Sequence, residues 1–146
     1  MLGIALDRSE KIASFEDLEI WQAGMDLLVE VYAVVDSFPT SEKYGLSSQI
    51  TRAAVSIPSN IAEGWGRGRG SAQAQFLKVA RGSVYEVLTQ LEAARRLGFT
   101  QDQRAHDLRE RFVVLGKQIN AYLSWLESTI VREEGAAYGT SPSDLT

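Results

Sequence analysis

The sequence predicts an all-α protein, an antiparallel up-down-up-down four-helix bundle whose protomers assemble as a homo-oligomer. Three observations carry the prediction. Apolar residues recur at steps of three and four through four separate stretches. No stretch keeps up the alternation of a strand, and the breaks between stretches are short and built of Pro, Gly, Ser and Thr. The first helical stretch carries more apolar perimeter than one neighbour would cover.

That first helix is predicted over Leu18 to Phe38. Its apolar residues fall on two seams: Leu18, Trp21, Met25, Leu28, Tyr32 and Val35, and then Ile20, Gly24, Leu27, Val31, Val34 and Phe38. A corner helix of a monomeric bundle needs one stripe about 100° wide. The second seam, through Ile20, Leu27, Val31, Val34 and Phe38, is therefore expected at a subunit interface. Cover by the chain's own N-terminal "LGIAL" is the competing reading. Ser14, with Asp17 three residues on, predicts an N-cap, and Pro39 predicts the stop.

A second helix is predicted from Leu46 to Glu63, with Ile50, Ala53, Ala54, Ile57 and Ile61 inward. Pro58 lies inside it. Its missing amide and its ring cost about 3 kcal/mol, so a kink or restart is expected there, with Ser56, Ser59 and Asn60 placed to satisfy freed backbone groups. "GWGRGRG" then turns the chain. Ser71 is expected to cap a third helix running to Leu97, with Phe76, Ala80, Ser83, Val84, Val87, Leu91 and Ala94 on one face. Gly98 ends it. Thr100 and Gln103 form a capping-box pattern for a fourth helix to Val131, with Leu108, Phe112, Leu115, Ile119, Tyr122, Leu126 and Ile130 inward. The 146 residues thus divide into a flexible segment over 1–13, one bundle domain over 14–131, and a flexible tail over 132–146.

Composition narrows the function classes. No 18-residue apolar run suggests a membrane span, and the N-terminus lacks the basic start and long apolar centre of a signal peptide. With zero cysteines, the expected location is the cytoplasm. The formal charge of −4 argues against coating nucleic acid by bulk electrostatics. The distribution is uneven, however: residues 52–117 hold 11 Lys and Arg against 6 acids, a local +5 inside an acidic chain. Arg52, Ser56, Asn60 and Glu63 form a polar strip that either bonds across helices or joins Arg67, Arg69 and the start of the third helix as a phosphate site. Lys78 and Arg81 extend that basic surface or are ordinary solvated charges. Trp65 either stacks on an unpaired base or packs into a core or subunit contact.

No catalytic constellation is visible, and the chain is expected to be no enzyme, with no cofactor. Gly64-x-Gly66-x-Gly68-x-Gly70 follows no strand and precedes no Gly-Lys-Ser/Thr, so neither nucleotide-binding fingerprint applies. His106 is the single histidine and reads as a solvated surface residue rather than a metal ligand. The Glu-x-x-His motifs of di-iron bundles are absent. Gly82 is expected to mark a close helix approach.

The stretches "FEDLEIWQAG", "FPTSEKYGLSSQITRAAVSIPSNIAEGWGR" and "FLKVARGSVYEVLTQLEAARRLGF" together resemble the four-helix bundle family of intervening-sequence proteins of 23S ribosomal RNA genes. The resemblance spans roughly residues 15–130 and is most specific between Tyr44 and Gly64. Leu88 stands where an acidic residue is frequent, and the turn after Gly64 is richer in glycine than usual. The resemblance implies a homo-oligomeric ring of four-helix protomers, a pentamer. A related branch, the accessory proteins of diversity-generating retroelements, implies a basic ring engaging a reverse transcriptase and nucleic acid. The two expected partner classes are therefore structured RNA or a nucleoprotein, and a protein such as a reverse transcriptase bound by an adaptor ring.

Overall fold

The computed structural model describes residues 12–138. Among them are four α-helices and no strand: α1 Glu19–Val35, α2 Leu46–Gly66, α3 Ser71–Arg96 and α4 Asp102–Tyr138. Single 3-10 turns at Phe15–Asp17 and Thr40–Glu42 precede α1 and α2. α2 packs on α3, α3 on α4, and α1 packs against both α2 and α4. The shared core includes Ile50, Ile57, Leu91, Phe112, Leu115, Ile119 and Leu126, all fully buried.

Ser14 does act as a cap, but of the 3-10 turn rather than of α1. Its Oγ accepts from the Glu16 amide at 3.2 Å, and the Asp17 carboxylate accepts from the amides of Ser14 at 3.1 Å and Ala13 at 2.8 Å. Phe15 meets Trp21 edge-on with ring centroids 5.4 Å apart, and Ile12 packs against the core. Residues 12 and 13 thus contact the start of the bundle. Residues 1–11 lie outside the described residues.

The expected subunit seam is intramolecular. Within a single protomer Ile20 is 5% exposed, Val31 0% and Phe38 7%, and Leu27 and Val34 are equally enclosed. Gly24 lies in this seam at the α1–α2 contact, where a Cβ would meet the Ile57 side chain at 3.5 Å and the Pro58 ring at 3.6 Å, ordinary packing distances. The other seam is buried at Leu18 and then runs along the edge: Trp21, Met25, Leu28 and Val35 are half-buried, and Tyr32 is exposed.

Pro58 packs at the same contact. α2 runs from Leu46 to Gly66 without interruption at the proline, whose ring is buried against α1. Burial of that ring offsets the missing amide. In the same turn Asn60 donates to the Ser56 carbonyl at 2.7 Å and to Ser56 Oγ at 2.9 Å, while Ser83 of α3 donates to Ser56 Oγ at 2.8 Å. The Ser83–Ser56 bond crosses between α2 and α3, as the structural reading of the polar strip expects of Ser56, whereas the Asn60 bonds stay within α2.

Other local signals resolve differently. Ser71 is the first residue of α3 rather than its cap; Gly70, in extended backbone, holds the cap position with no side-chain bond. The Thr100–Gln103 box does not form, because Gln103 instead donates to Asp107 one turn ahead at 2.8 Å, leaving the enclosed Thr100 hydroxyl without a partner. α4 starts at Asp102 and continues to Tyr138. Residues 132–138 are therefore helix: "REEGAAY" contains good helix formers and no proline, and its one glycine costs only about 1 kcal/mol; the rest of the expected tail, 139–146, lies outside the described residues. Around Gly82 nothing lies within 4 Å of a Cβ, so it marks no close approach. The close approach is at Gly64, where a Cβ would fall 2.9 Å from Phe76 Cβ and 3.3 Å from the Gln73 carbonyl oxygen.

Candidate nucleic-acid interface

The chain passes from α2 to α3 through Arg67 to Gly70, and Gly68 makes the turn at φ 77°, a conformation that disfavours any side chain. This places Arg67 and Arg69 at one end of the bundle, beside the Tyr122–Glu127 stretch of α4. Arg67 Nη2 is 3.1 Å from Glu63 Oε1, one helical turn back, and its guanidinium lies 5.4 Å from the Phe76 ring centre. The Arg69 guanidinium lies 5.6 Å from the Trp125 ring centre. Lys78 Nζ is 3.3 Å from Glu127 Oε1.

Beneath the arginines is a polar-aromatic layer. Trp125 and Tyr122 rings are 5.7 Å apart, and buried Gln73 donates from Nε2 to the Tyr122 hydroxyl at 3.3 Å while its Oε1 has no partner. Burial raises the Tyr122 pKa; the Gln73 bond and the Arg69 charge pull against that rise.

Four of the six expected basic and aromatic residues, Trp65, Arg67, Arg69 and Lys78, therefore share this end. Arg81 reaches across to Asn120 Oδ1 at 3.1 Å, further along the α3–α4 seam. Arg52 stands apart. Its Nη2 contacts Ser48 Oγ at 3.4 Å, on a polar groove of about 370 Å³ between α2 and α3 lined by Gln49, Ser56, Ser83, Glu86 and Gln90. Trp65 is half-buried against the core, in line with its packing reading. The tryptophan that meets an arginine is Trp125, which sequence reasoning missed, because only the return of α4 brings it under Arg69.

A second charged cluster, also unexpected, closes the opposite end of α3. Glu92 binds Arg95 through two hydrogen bonds of 2.8 and 3.1 Å and Arg96 Nε at 3.1 Å, with Arg109 Nη1 of α4 at 3.8 Å. Arg95 Nη1 also sits 3.6 Å from Asp102. The spacing "EAARR" carries the signal, a carboxylate three and four residues before two arginines. Hydrogen bonds from Arg95 and Arg96 lower the Glu92 pKa from 4.5 to about 2. A folded-state pKa below the unfolded one stabilises the fold above the unfolded value, and that contribution disappears as pH falls toward the folded value. Thermal melts should therefore show a loss of stability between pH 4.5 and about 2 that shrinks in Glu92→Gln. An unchanged acid limb in the variant would mean that Glu92 contributes nothing to it.

Elsewhere, His106 Nε2 lies 3.2 Å from Glu110 Oε1 at an exposed site. Among the described residues, no group of three or more His, Asp and Glu could hold a metal ion, and no helix is long and apolar enough to cross a membrane.

Comparison with known proteins places this geometry in a family. No curated protein matches the chain. Its fold is similar to a protein of unknown function from the S23 ribosomal protein family of Bacteroides thetaiotaomicron VPI-5482. The two are 16% identical with a TM-score of 0.66, over 71% of this chain and 97% of that one. A family model described as 23S rRNA-intervening sequence protein matches residues 16–121. With most of α1 through α4 inside that match, the chain belongs to the 23S rRNA-intervening sequence protein family.

Proposed function

We propose that this chain is a non-enzymatic, cytoplasmic helical-bundle protein that binds structured RNA or a nucleoprotein through the end of the bundle at the α2–α3 turn. The observation carrying the reading is the pair of arginines held over aromatic faces, Arg67 on Phe76 and Arg69 on Trp125. A guanidinium lying on a ring keeps its in-plane donors free for a phosphate or a base edge. The competing partner is weak: both members of the Arg67–Glu63 pair are more than half exposed, and such pairs contribute about 1 kcal/mol or less, so a phosphate can replace the carboxylate. An up-down-up-down antiparallel arrangement fits the same geometry. Contacts pair Gly64 with Phe76 and Ser56 with Ser83 across α2 and α3, and Arg81 with Asn120 and Glu92 with Arg109 across α3 and α4, so residue numbers rise on one helix as they fall on the next.

Fluorescence anisotropy with a 23S ribosomal RNA hairpin tests the reading. Affinity should fall steeply with salt, and Arg67→Ala with Arg69→Ala should lower the log–log slope by about two, one per lost phosphate contact. Absence of binding at low salt would end it.

An adaptor ring around a protein partner such as a reverse transcriptase is the second reading. A groove of about 340 Å³ between α1 and α2, lined by Trp21, Met25, Leu28, Val55 and Pro58, favours it. In this reading the groove and exposed Tyr32 are covered by a second copy, and repetition of that contact closes a pentameric ring.

A further inference from the structure

The arginine cluster at the end of the bundle opposite the α2–α3 turn has more positive charge than its carboxylates use. Three guanidiniums, of Arg95, Arg96 and Arg109, converge on Glu92. Arg95 takes both carboxylate oxygens, and Arg96 reaches Oε1 through Nε only. Arg109 is left outside hydrogen-bond distance at 3.8 Å, and its enclosed Nε has no partner. Among the described residues the other acid in contact, Asp102, lies 3.6 Å from Arg95 and is 80% exposed.

Orientation separates the roles of the three. Arg95, held from two sides, is a fixed post. Arg96 is 74% exposed, and Arg109 keeps a partly exposed guanidinium on the neighbouring helix. An anion seated between α3 and α4 would reach Arg96 and Arg109 without breaking the bidentate Glu92–Arg95 pair. Glu92 opposes such an anion with one negative charge, but it also holds the arginines together and so lowers the ordering cost of binding. A planar fork of N–H donors matches the oxygens of a phosphate better than it matches a halide.

We propose that Arg96 and Arg109, with Arg95 and Glu92 as positioning residues, form a binding site for a phosphate group at the α3–α4 end of the bundle. The site is separate from the α2–α3 turn, since the 26 residues of α3, at about 1.5 Å each, lie between them. It does not rest on RNA binding at that turn. The phosphate belongs either to the terminal phosphomonoester of a nucleic acid or to its phosphodiester backbone.

The test is a titration of the full chain with inorganic phosphate, followed through the Nε–H signals of arginine side chains by NMR, with sodium chloride at matched ionic strength as the reference. Selective movement of the Arg96 and Arg109 signals is expected. Arg96→Gln, at an exposed position, should keep the helical circular dichroism spectrum and weaken phosphate binding by roughly tenfold, the worth of one charge-assisted hydrogen bond. Identical shifts with chloride, or full affinity in folded Arg96→Gln, would overturn the proposal. A 5′-phosphorylated oligoribonucleotide and its unphosphorylated form then separate the sources. Preference for the first assigns a terminal phosphate, and equal binding that is lost in Arg96→Gln assigns the backbone. Binding of neither overturns the site as one for nucleic-acid phosphate.

Discussion

Val31→Asp is expected to unfold the protomer, not merely to split an assembly. Val31 is 0% exposed inside a single chain, between α1 and the helices it packs on, so the new carboxylate is cut off from water. An uncompensated buried charge costs about 3–5 kcal/mol, against a total stability of roughly 5–15 kcal/mol for a domain of this kind. Circular dichroism melts should show a transition lowered by tens of degrees or absent. Leu28→Asp supplies the contrast. Leu28 lines the half-exposed groove between α1 and α2, so this variant should keep its helices while shifting any oligomer to smaller mass in light scattering. A folded Val31→Asp protein of reduced mass would return the Ile20–Phe38 seam to a subunit boundary.

The reason that seam was misassigned shows where sequence patterning stops. Periodicity places residues on a helix face and gave the inward rows of α2, α3 and α4 with few errors; Phe112, Leu115, Ile119 and Leu126 are all buried as expected. It does not say which of two apolar faces turns inward. The seam that turns inward is the one holding Gly24, which meets Ile57 and Pro58 of α2. The two oddities of the sequence, a glycine in one apolar helix and a proline in another, meet in one contact between α1 and α2. Capping patterns failed for a related reason. Gln103 had two partners within reach along the chain, and the one ahead, Asp107, won. The candidate interface was legible only as charge. Arg67 and Arg69 were found through local composition, whereas the rings they lie over come from α3 and α4, at separations that no local pattern encodes.

Gly64 shows the same dependence on partners in a form that can be measured. It sits in the last turn of α2, where a side chain would raise helix propensity by up to about 1 kcal/mol. Space forbids the gain. A Cβ would stand 2.9 Å from Phe76 Cβ, which is fixed to the α3 backbone and cannot swing aside, and 3.3 Å from the Gln73 carbonyl oxygen. Gly64→Val should therefore force α2 and α3 apart and destabilise the fold by about 3 kcal/mol, the upper part of the usual range for overpacking. Because Phe76 shifts with α3 while Arg67 caps the end of α2, the arginine over the Phe76 ring should lose its seat as well. Gly82→Ala makes the opposite prediction on the same helix pair. With nothing within 4 Å of the new methyl group, only the propensity effect remains, and stability should rise by about 1 kcal/mol. Urea titrations of the two variants decide the matter: a Gly64→Val midpoint at or above the parent's would mean that α2 and α3 do not meet as closely as the 2.9 Å contact requires.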